Sequence, residues 1–330
     1  MALSHEKYLQ KQQLLIERTA RALRVSIDEA TALLLLPRQQ SVRVNPLKTD
    51  PSSALEGLRS YDPSLVQFSW MPHGVLLDKG ALDRVRDSSL VTEGHVYIQN
   101  AASWLPVVAL AVNPGQRVLD MCAAPGGKTS HIAAYTHNNA QITANDNSRP
   151  RLLKMQRNLE RLGVHNSTYT LHDATKLTRS LPAESFERIL LDAPCSGEGM
   201  MTLDNKKAFE SWSVAHIKRL QQMQKRLIVQ AWELLTPGGT LVYSTCTMAP
   251  EENEAVVDYL LRHNDNCVVE SLSNLSEQLP NVVQPVLEWN GKQYAPQLAN
   301  ALRLAPNSTI EAFFVVKLTK RATTTAAAHR

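Results

Sequence analysis

The chain of 330 residues predicts an α/β fold, with a doubly wound, mostly parallel sheet preceded by a smaller α/β domain. Three observations predict it. From residue 96 onward, short apolar runs alternate with helical patterns. Acids and cysteines recur just past the ends of those runs, where open α/β sheets carry their chemistry. Before residue 96 the rhythm differs, with two helices and a strand followed by a stretch broken by prolines.

Residues 3 to 36 read as two helices, because Leu3, Tyr8, Leu14 and Leu15, then Ile27, Ala30, Leu33 and Leu34, recur near helical spacing. Ser26 followed by Glu29 makes a capping box for the second helix, and Pro37 ends it. Ser41 to Pro46 reads as a short strand. A small α/β stretch follows to about Thr92, punctuated by Asp50-Pro51, Asp62-Pro63 and Pro72-His73-Gly74. Residues 1–95 are therefore expected to form a first domain and residues 96–320 a second.

The second domain opens with a helix over 100–112 and the turn Asn113-Pro114-Gly115. Strands are expected at 117–120, 141–144, 167–171, 188–191 and 240–244, with later ones near Val268 and over 312–316. Helices are expected from the glycine loop to about Ala134, over 149–162 with Gly163 ending it, over 214–235, and over 251–262. Pro237-Gly238-Gly239 turns the chain into the fifth strand. The Thr/Ala-rich residues 321–330 are expected to be a disordered tail.

Composition excludes several classes. A hydrophobic fraction of 43% with 20% charged residues fits a globular protein. The net charge of +4 permits a nucleic-acid partner without requiring one. The longest apolar runs, such as Ala32 to Leu36, are too short to span a membrane, and the start does not read as a secretory signal. Four cysteines with no Cys-x-x-Cys pair suggest neither a disulfide framework nor a zinc site. The expectation is a cytoplasmic, monomeric protein with reduced thiols and no metal.

The glycine loop runs Asp120-Met121-Cys122-Ala123-Ala124-Pro125-Gly126-Gly127-Lys128-Thr129-Ser130, between the first strand and the next helix. Small residues there let the backbone approach a ligand, and the helix N-terminus offers free amides. A phosphate-binding P-loop would need glycine at position 122, where Cys122 stands, and Pro125 stiffens the loop. A dehydrogenase would want Gly-x-Gly-x-x-Gly, which is absent. Asp146 falls just beyond the second strand, where a ribose-binding acid belongs, and Asp173 beyond the third, within reach of a base. Either acid alone is more often a helix cap or turn residue. Two cysteines close the set: Cys195 in Asp192-Ala193-Pro194-Cys195-Ser196-Gly197, and Cys246 in Tyr243-Ser244-Thr245-Cys246-Thr247.

These stretches together resemble the NOL/NOP/Sun (RsmB/RsmF, NSUN) family of S-adenosylmethionine-dependent RNA cytosine carbon-5 methyltransferases. Supporting stretches are Arg43-Val44-Asn45-Pro46-Leu47-Lys48, Tyr97-Ile98-Gln99-Asn100-Ala101-Ala102-Ser103 and Pro250-Glu251-Glu252-Asn253-Glu254. The match runs from about Ser41 to Leu318. Many members carry a long C-terminal RNA-binding extension, which is not expected here.

The resemblance implies a Rossmann-like class I methyltransferase domain and an N-terminal RNA-binding domain. It implies S-adenosylmethionine held by Cys122, Ala123, Ala124, Pro125, Gly126, Gly127, Lys128, Asp146, Asp173 and Asp192. It implies Cys246 as the nucleophile and Cys195 as the residue that helps release product, on an rRNA (favoured) or tRNA substrate. A non-catalytic RNA-binding assembly factor on the same fold is the alternative. The chemistry suits the residues, because a thiolate added at carbon 6 of cytosine makes carbon 5 nucleophilic. Asp192 is expected to hold the ring, with Lys128 adding positive charge. Lys206, Lys207, Lys218 and Arg219, near the Cys195 loop, are the better phosphate-contact candidates, and Arg43 and Lys48 fit by resemblance. Arg151, Lys154, Arg157 and Arg161 are more readily a solvated helix face. Phe209 and Trp212 are as readily core as base-stacking residues, and Cys267 is read as structural.

Overall fold

The computed structural model describes residues 4–37 and 39–322. Leu3 and positions 323–330 of the expected tail lie outside the described residues. The tail's first residue is anchored, since the Arg321 amide donates to the Asn266 carbonyl at 2.9 Å.

Four strands form a first sheet: β1 (Ser41–Val44), β2 (Val66–Phe68), β3 (Met71–Leu76) and β4 (Val96–Gln99), in the order β2-β3-β1-β4 and antiparallel throughout. The expected border at residue 95/96 therefore cuts through this sheet. Val96 pairs with Val44 and Gln99 with Ser41, so the first sheet keeps the segment assigned to the second domain. Val42, Val44, Val75 and Val96 form its core with Leu58, Leu82 and Val85 from the helices Pro51–Tyr61 and Lys79–Arg86.

The second sheet carries β5 (Arg117–Asp120), β6 (Gln141–Asn145), β7 (Ser167–Thr170), β8 (Phe186–Asp192), β9 (Leu235–Thr245), β10 (Cys267–Glu270), β11 (Val282–Val283), β14 (Leu302–Leu304) and β15 (Phe313–Lys320). Between them β12 (Glu288–Trp289) and β13 (Lys292–Gln293) make a separate hairpin. The order is β11-β14-β15-β9-β8-β5-β6-β7, with β10 also on β15. From β9 to β7 the pairing is parallel, and β15 enters antiparallel to β9. The strand order reverses between β5 and β8. Such a switch point leaves a crevice at the carboxyl ends of the strands.

Period-two alternation splits the core across the sheet. Val118, Ile142, Leu190, Val242 and Val315 face one side, with Leu105, Ile132, Met155 and Leu159 from its helices. Leu119, Ile189, Leu191, Leu241 and Phe314 face the other, against Leu227 and Ile228 of the helix Val214–Leu234 and Val256 and Leu260 of the helix Glu254–Leu261. The two N-terminal helices, α1 (His5–Leu23) and α2 (Ile27–Leu35), do not join the first sheet. Leu15, Ile16, Leu23 and Leu34 pack on Met201, Leu203, Phe209, Trp212 and Met248, under the loops that follow β8 and β9. The capping box is formed, with the Glu29 amide donating to Ser26 Oγ at 3.2 Å and the Ser26 amide to Glu29 Oε2 at 2.8 Å.

Candidate active site

Asp120 and Asp192 end the two strands that flank the switch point. Lys128, in the first turn of the helix Gly127–Tyr135, reaches across, and its Nζ donates to Asp192 Oδ2 at 2.6 Å. Ser244, at the same level on β9, donates its hydroxyl to Asp192 Oδ1 at 2.8 Å. Burial works against the Lys128 ammonium, but Asp192 outweighs it and the net shift is upward. Asp120 is fully buried, and burial pushes it up to about 7 although Thr129 Oγ1 donates to it at 2.7 Å.

Cys122, Ala123, Ala124, Pro125, Gly127 and Lys128 line a cavity of about 260 Å³, together with Asp120, Asp192, Tyr97, Gln99 and Met200. Gly126 sits in the left-handed region at φ 96° and packs on Met155 and Leu159 rather than on the cavity. Gly127 is required for space, since a Cβ there would stand 2.9 Å from the Tyr97 ring. Loop shape is fixed from outside: Arg151 Nη2 donates to the Ala124 carbonyl at 2.8 Å and Asn158 Nδ2 to the Pro125 carbonyl at 2.9 Å. The Cys122 thiol is pushed well up by burial and then by the nearby Asp120, which suits a packing role.

Asp146 and Asp173 line a second, narrower cavity of about 50 Å³ that shares Cys122 with the first. Both acids also act as turn caps. Asp146 Oδ1 accepts from the Ser148 amide at 2.9 Å, and Asp173 Oδ1 from the Thr175 amide at 3.0 Å. Two acceptor carboxylates at consecutive strand ends fit a nucleoside, and the Lys128–Asp192 end fits an amino-acid moiety. This donor set is compatible with S-adenosylmethionine.

The two cysteines meet. Cys195 Sγ lies 3.4 Å from Cys246 Sγ, and both are half-buried free thiols. Hydrogen bonding to Cys246 and then burial raise the Cys195 thiol well above its usual value. The loops that hold them are tied by a buried polar network. The Gly199 amide donates to the Cys246 carbonyl at 3.0 Å, and a Cβ at Gly199 would come within 2.2 Å of the Ala312 carbonyl oxygen. Glu252 accepts from the Ser196 amide at 3.0 Å, from Gln224 Nε2 at 2.9 Å and from the Ser196 hydroxyl. Thr247 donates to Glu198 at 3.2 Å, and Trp212 Nε1 does so at 3.0 Å. Thr245 bonds Asn253 at 2.5 Å, and Asn253 Nδ2 donates to the Thr247 carbonyl at 3.0 Å. Glu251 is bound by both ends of the Arg18 guanidinium from α1, at 3.2 and 2.8 Å. Burial raises Glu252 to about 7.

The run Pro250 to Glu254, which the sequence offered only as part of a resemblance, thus braces the cysteine loops. Its signal was the row of acids in an otherwise apolar region. The bonds made by Ser196, Glu198 and Gln224 were not anticipated, because their partners are 14 to 56 residues away. One expectation changes, and two open readings are resolved. Arg43 is buried, with Nη2 donating to Ser130 Oγ at 2.8 Å on the glycine-loop helix, so it is not a cation of the exposed surface. Phe209 and Trp212 are buried in the α1–α2 core and cannot stack on an incoming base. Arg151 and Arg161 spend hydrogen bonds on the Ala124 and Val91 carbonyls, while Lys154 and Arg157 are exposed. Lys48, Lys206, Lys207, Lys218 and Arg219 are exposed, and Cys267 is buried.

The sheet order and the residues at its strand ends are those of a Rossmann-like class I methyltransferase fold, here carrying an added N-terminal sheet. Residues 107–319 match the family described as 16S rRNA methyltransferase RsmB/F. The chain is 36% identical over 299 residues to a ribosomal RNA small subunit methyltransferase F of Serratia proteamaculans, covering 90% of this chain and 60% of that one. It thus spans about three-fifths of that relative. It is 35% identical to a tRNA (cytosine(49)-C(5))-methyltransferase of Pyrococcus abyssi, covering 89% of this chain and 92% of the relative. A solved methyltransferase homologue from Pyrococcus horikoshii superposes with a TM-score of 0.75 at 30% identity, covering 96% of this chain and all of that one. The chain belongs to the RsmB/F methyltransferase family. Among the described residues no helix is long and apolar enough to cross a membrane, and no cluster of metal-ligating side chains occurs.

Proposed function

We propose that the chain methylates carbon 5 of a cytosine in RNA, with Cys246 as nucleophile and Cys195 assisting release. The observation that carries this reading is the pair of thiols 3.4 Å apart on loops adjoining the Lys128–Asp192 ion pair. S-Adenosylmethionine, when bound, supplies the methyl group as an electrophile.

The Cys246 sulfur adds to carbon 6 of the ring, forming a C–S bond and moving the electron pair toward carbon 5. Asp192, held by Lys128 and Ser244, accepts from the exocyclic amine or a protonated ring nitrogen and fixes the ring. Before that bond forms, Cys195 is a protonated thiol able to donate to Cys246. Once Cys246 is a thioether, its hydrogen-bonded contact with Cys195, the leading cause that raises Cys195, is altered. Cys195 then ionises more readily and takes the carbon 5 proton, directly or through water. The C–H electrons restore the ring double bond and expel the Cys246 sulfur. A strand-end crevice admits only an unstacked base, so the target is a loop, bulge or assembly intermediate.

The favoured substrate is rRNA, in keeping with the name of the matched family. A tRNA substrate is the second reading, supported by the near-equal length of the Pyrococcus abyssi relative. A binding-only assembly factor would have no use for the thiol pair. Incubation of RNA with radiolabelled cofactor tests the reading: wild type labels RNA and Cys246→Ala does not. Labelling by Cys246→Ala at the wild-type rate would defeat it. Bisulfite sequencing of total RNA from a deletion strain identifies the cytosine.

A further inference from the structure

Between the first sheet and the helix Gly127–Tyr135 lies a cavity of about 430 Å³, separate from both strand-end cavities. Arg43 and His131 are buried in its wall, His73 is half-buried, and Tyr135 and His137 are exposed beside it. Arg43 uses Nη2 on Ser130 Oγ and the Gly127 carbonyl, but its Nε and Nη1 have no partner. His131 Nδ1 has none either. Among the described residues no carboxylate pairs with Arg43, whose guanidinium carbon lies 5.7 Å from the centre of the Tyr97 ring. A buried guanidinium ordinarily has an anion, because leaving it bare in a low-dielectric site is costly.

We propose that this seam binds a phosphate-bearing nucleotide unit, its phosphate on Arg43 and the histidines and its base against the apolar walls around Trp70 and Tyr135. The size falls in the range of small-ligand sites and exceeds what a bare phosphate fills. Burial and then Arg43 depress both His73 and His131, so the rings stand neutral and Arg43 carries the charge of the wall. A bound phosphate supplies an anion for Arg43 and acceptors for the unpaired donors. The unit is either a residue of a bound RNA or a free nucleotide. The RNA source rests on the function proposed above, whereas binding of a free nucleotide does not.

Titration calorimetry tests it, with the cofactor site filled by S-adenosylhomocysteine. The probes are uridine 5′-monophosphate, uridine, inorganic phosphate and a single-stranded RNA 12-mer. The protein is wild type, Arg43→Met, and the rim variant His73→Ala/His137→Ala, which keeps the test valid if Arg43→Met misfolds. The expected result is binding of uridine 5′-monophosphate, about tenfold weaker binding of uridine and of phosphate, and a loss of about tenfold in the rim variant. If only the 12-mer binds and the rim variant weakens it about fivefold while His165→Ala does not, the unit comes from RNA. Equal binding of phosphate and uridine 5′-monophosphate would overturn the nucleotide assignment. Binding of every probe unchanged by the rim variant, or no binding of any probe, would overturn the site.

Discussion

The loops after β8 and β9 and the seam beside Arg43 are both buried and polar, yet they are finished to different degrees. In the first, Ser196, Thr247, Asn253 and the carboxylates of Glu198 and Glu252 find partners within the protein, with Gln224 Oε1 and Arg18 Nε left over at its margin. In the second, Arg43 Nε and Nη1 and His131 Nδ1 find none. A satisfied network fixes its members in one geometry. An unsatisfied one leaves donors available to a ligand. The difference teaches that the cysteine loops are set before substrate arrives, whereas the seam is completed by what it binds.

The largest effects are expected where geometry is already set. Lys128→Met removes the side chain that ion-pairs with Asp192, and kcat is expected to fall about a hundredfold or more with the fold kept, checked by circular dichroism. An intact kcat would show that the pair does not position the ring. Glu252→Ala takes an acceptor from the half-buried Ser196 amide and leaves the buried Gln224 Nε2 with the Pro194 carbonyl alone, so unfolding free energy should drop by about 2 kcal/mol in urea titrations. No change in midpoint would mean that the network is not what holds the loops.

The same carboxyl gives the comparison a pH signature. Glu252 holds its proton to about 7 in the folded chain but releases it near the ordinary carboxylate value when unfolded. The folded state therefore binds more protons between those values, so stability falls as pH rises from about 4.5 to 7. Asp120, also raised to about 7, adds to the slope. Urea midpoints should be lower at pH 8 than at pH 6, and Asp120→Asn should reduce the difference. A midpoint that rises over this interval would contradict the assignment. The smallest effect is expected at the surface. Lys206→Ala/Lys207→Ala should weaken RNA binding several-fold and lower the salt dependence by roughly two released ions, read from binding at several salt concentrations. An unchanged salt slope would place the RNA elsewhere.

Much of the second sheet was legible in sequence. The apolar runs around Val118, Ile142 and Leu190 are local signals, and strand ends follow from them. Val96–Gln99 was misassigned because a strand of four residues says nothing of its partner, and that partner is Ser41–Val44. The antiparallel edge of β11, β14, β15 and β10 was compressed into two strands for the same reason. At the site, Cys195, Cys246 and the glycine loop stood out by residue type and spacing. The bracing by Glu252, Glu198 and Arg18 did not, since it joins α1, the Ser196 loop and residues after β9 through tertiary contacts alone. Arg43 looked like a surface cation because sequence carries charge but not depth.

The central claim is that the two thiols divide the work. Cys195→Ala, incubated with substrate RNA and S-adenosylmethionine and run on a denaturing gel, should give a covalent protein–RNA band, because Cys246 still adds to the ring but release is impaired. Cys195→Ala/Cys246→Ala should give none. Full turnover by Cys195→Ala and by Cys246→Ala, with no covalent band from either, would contradict the account.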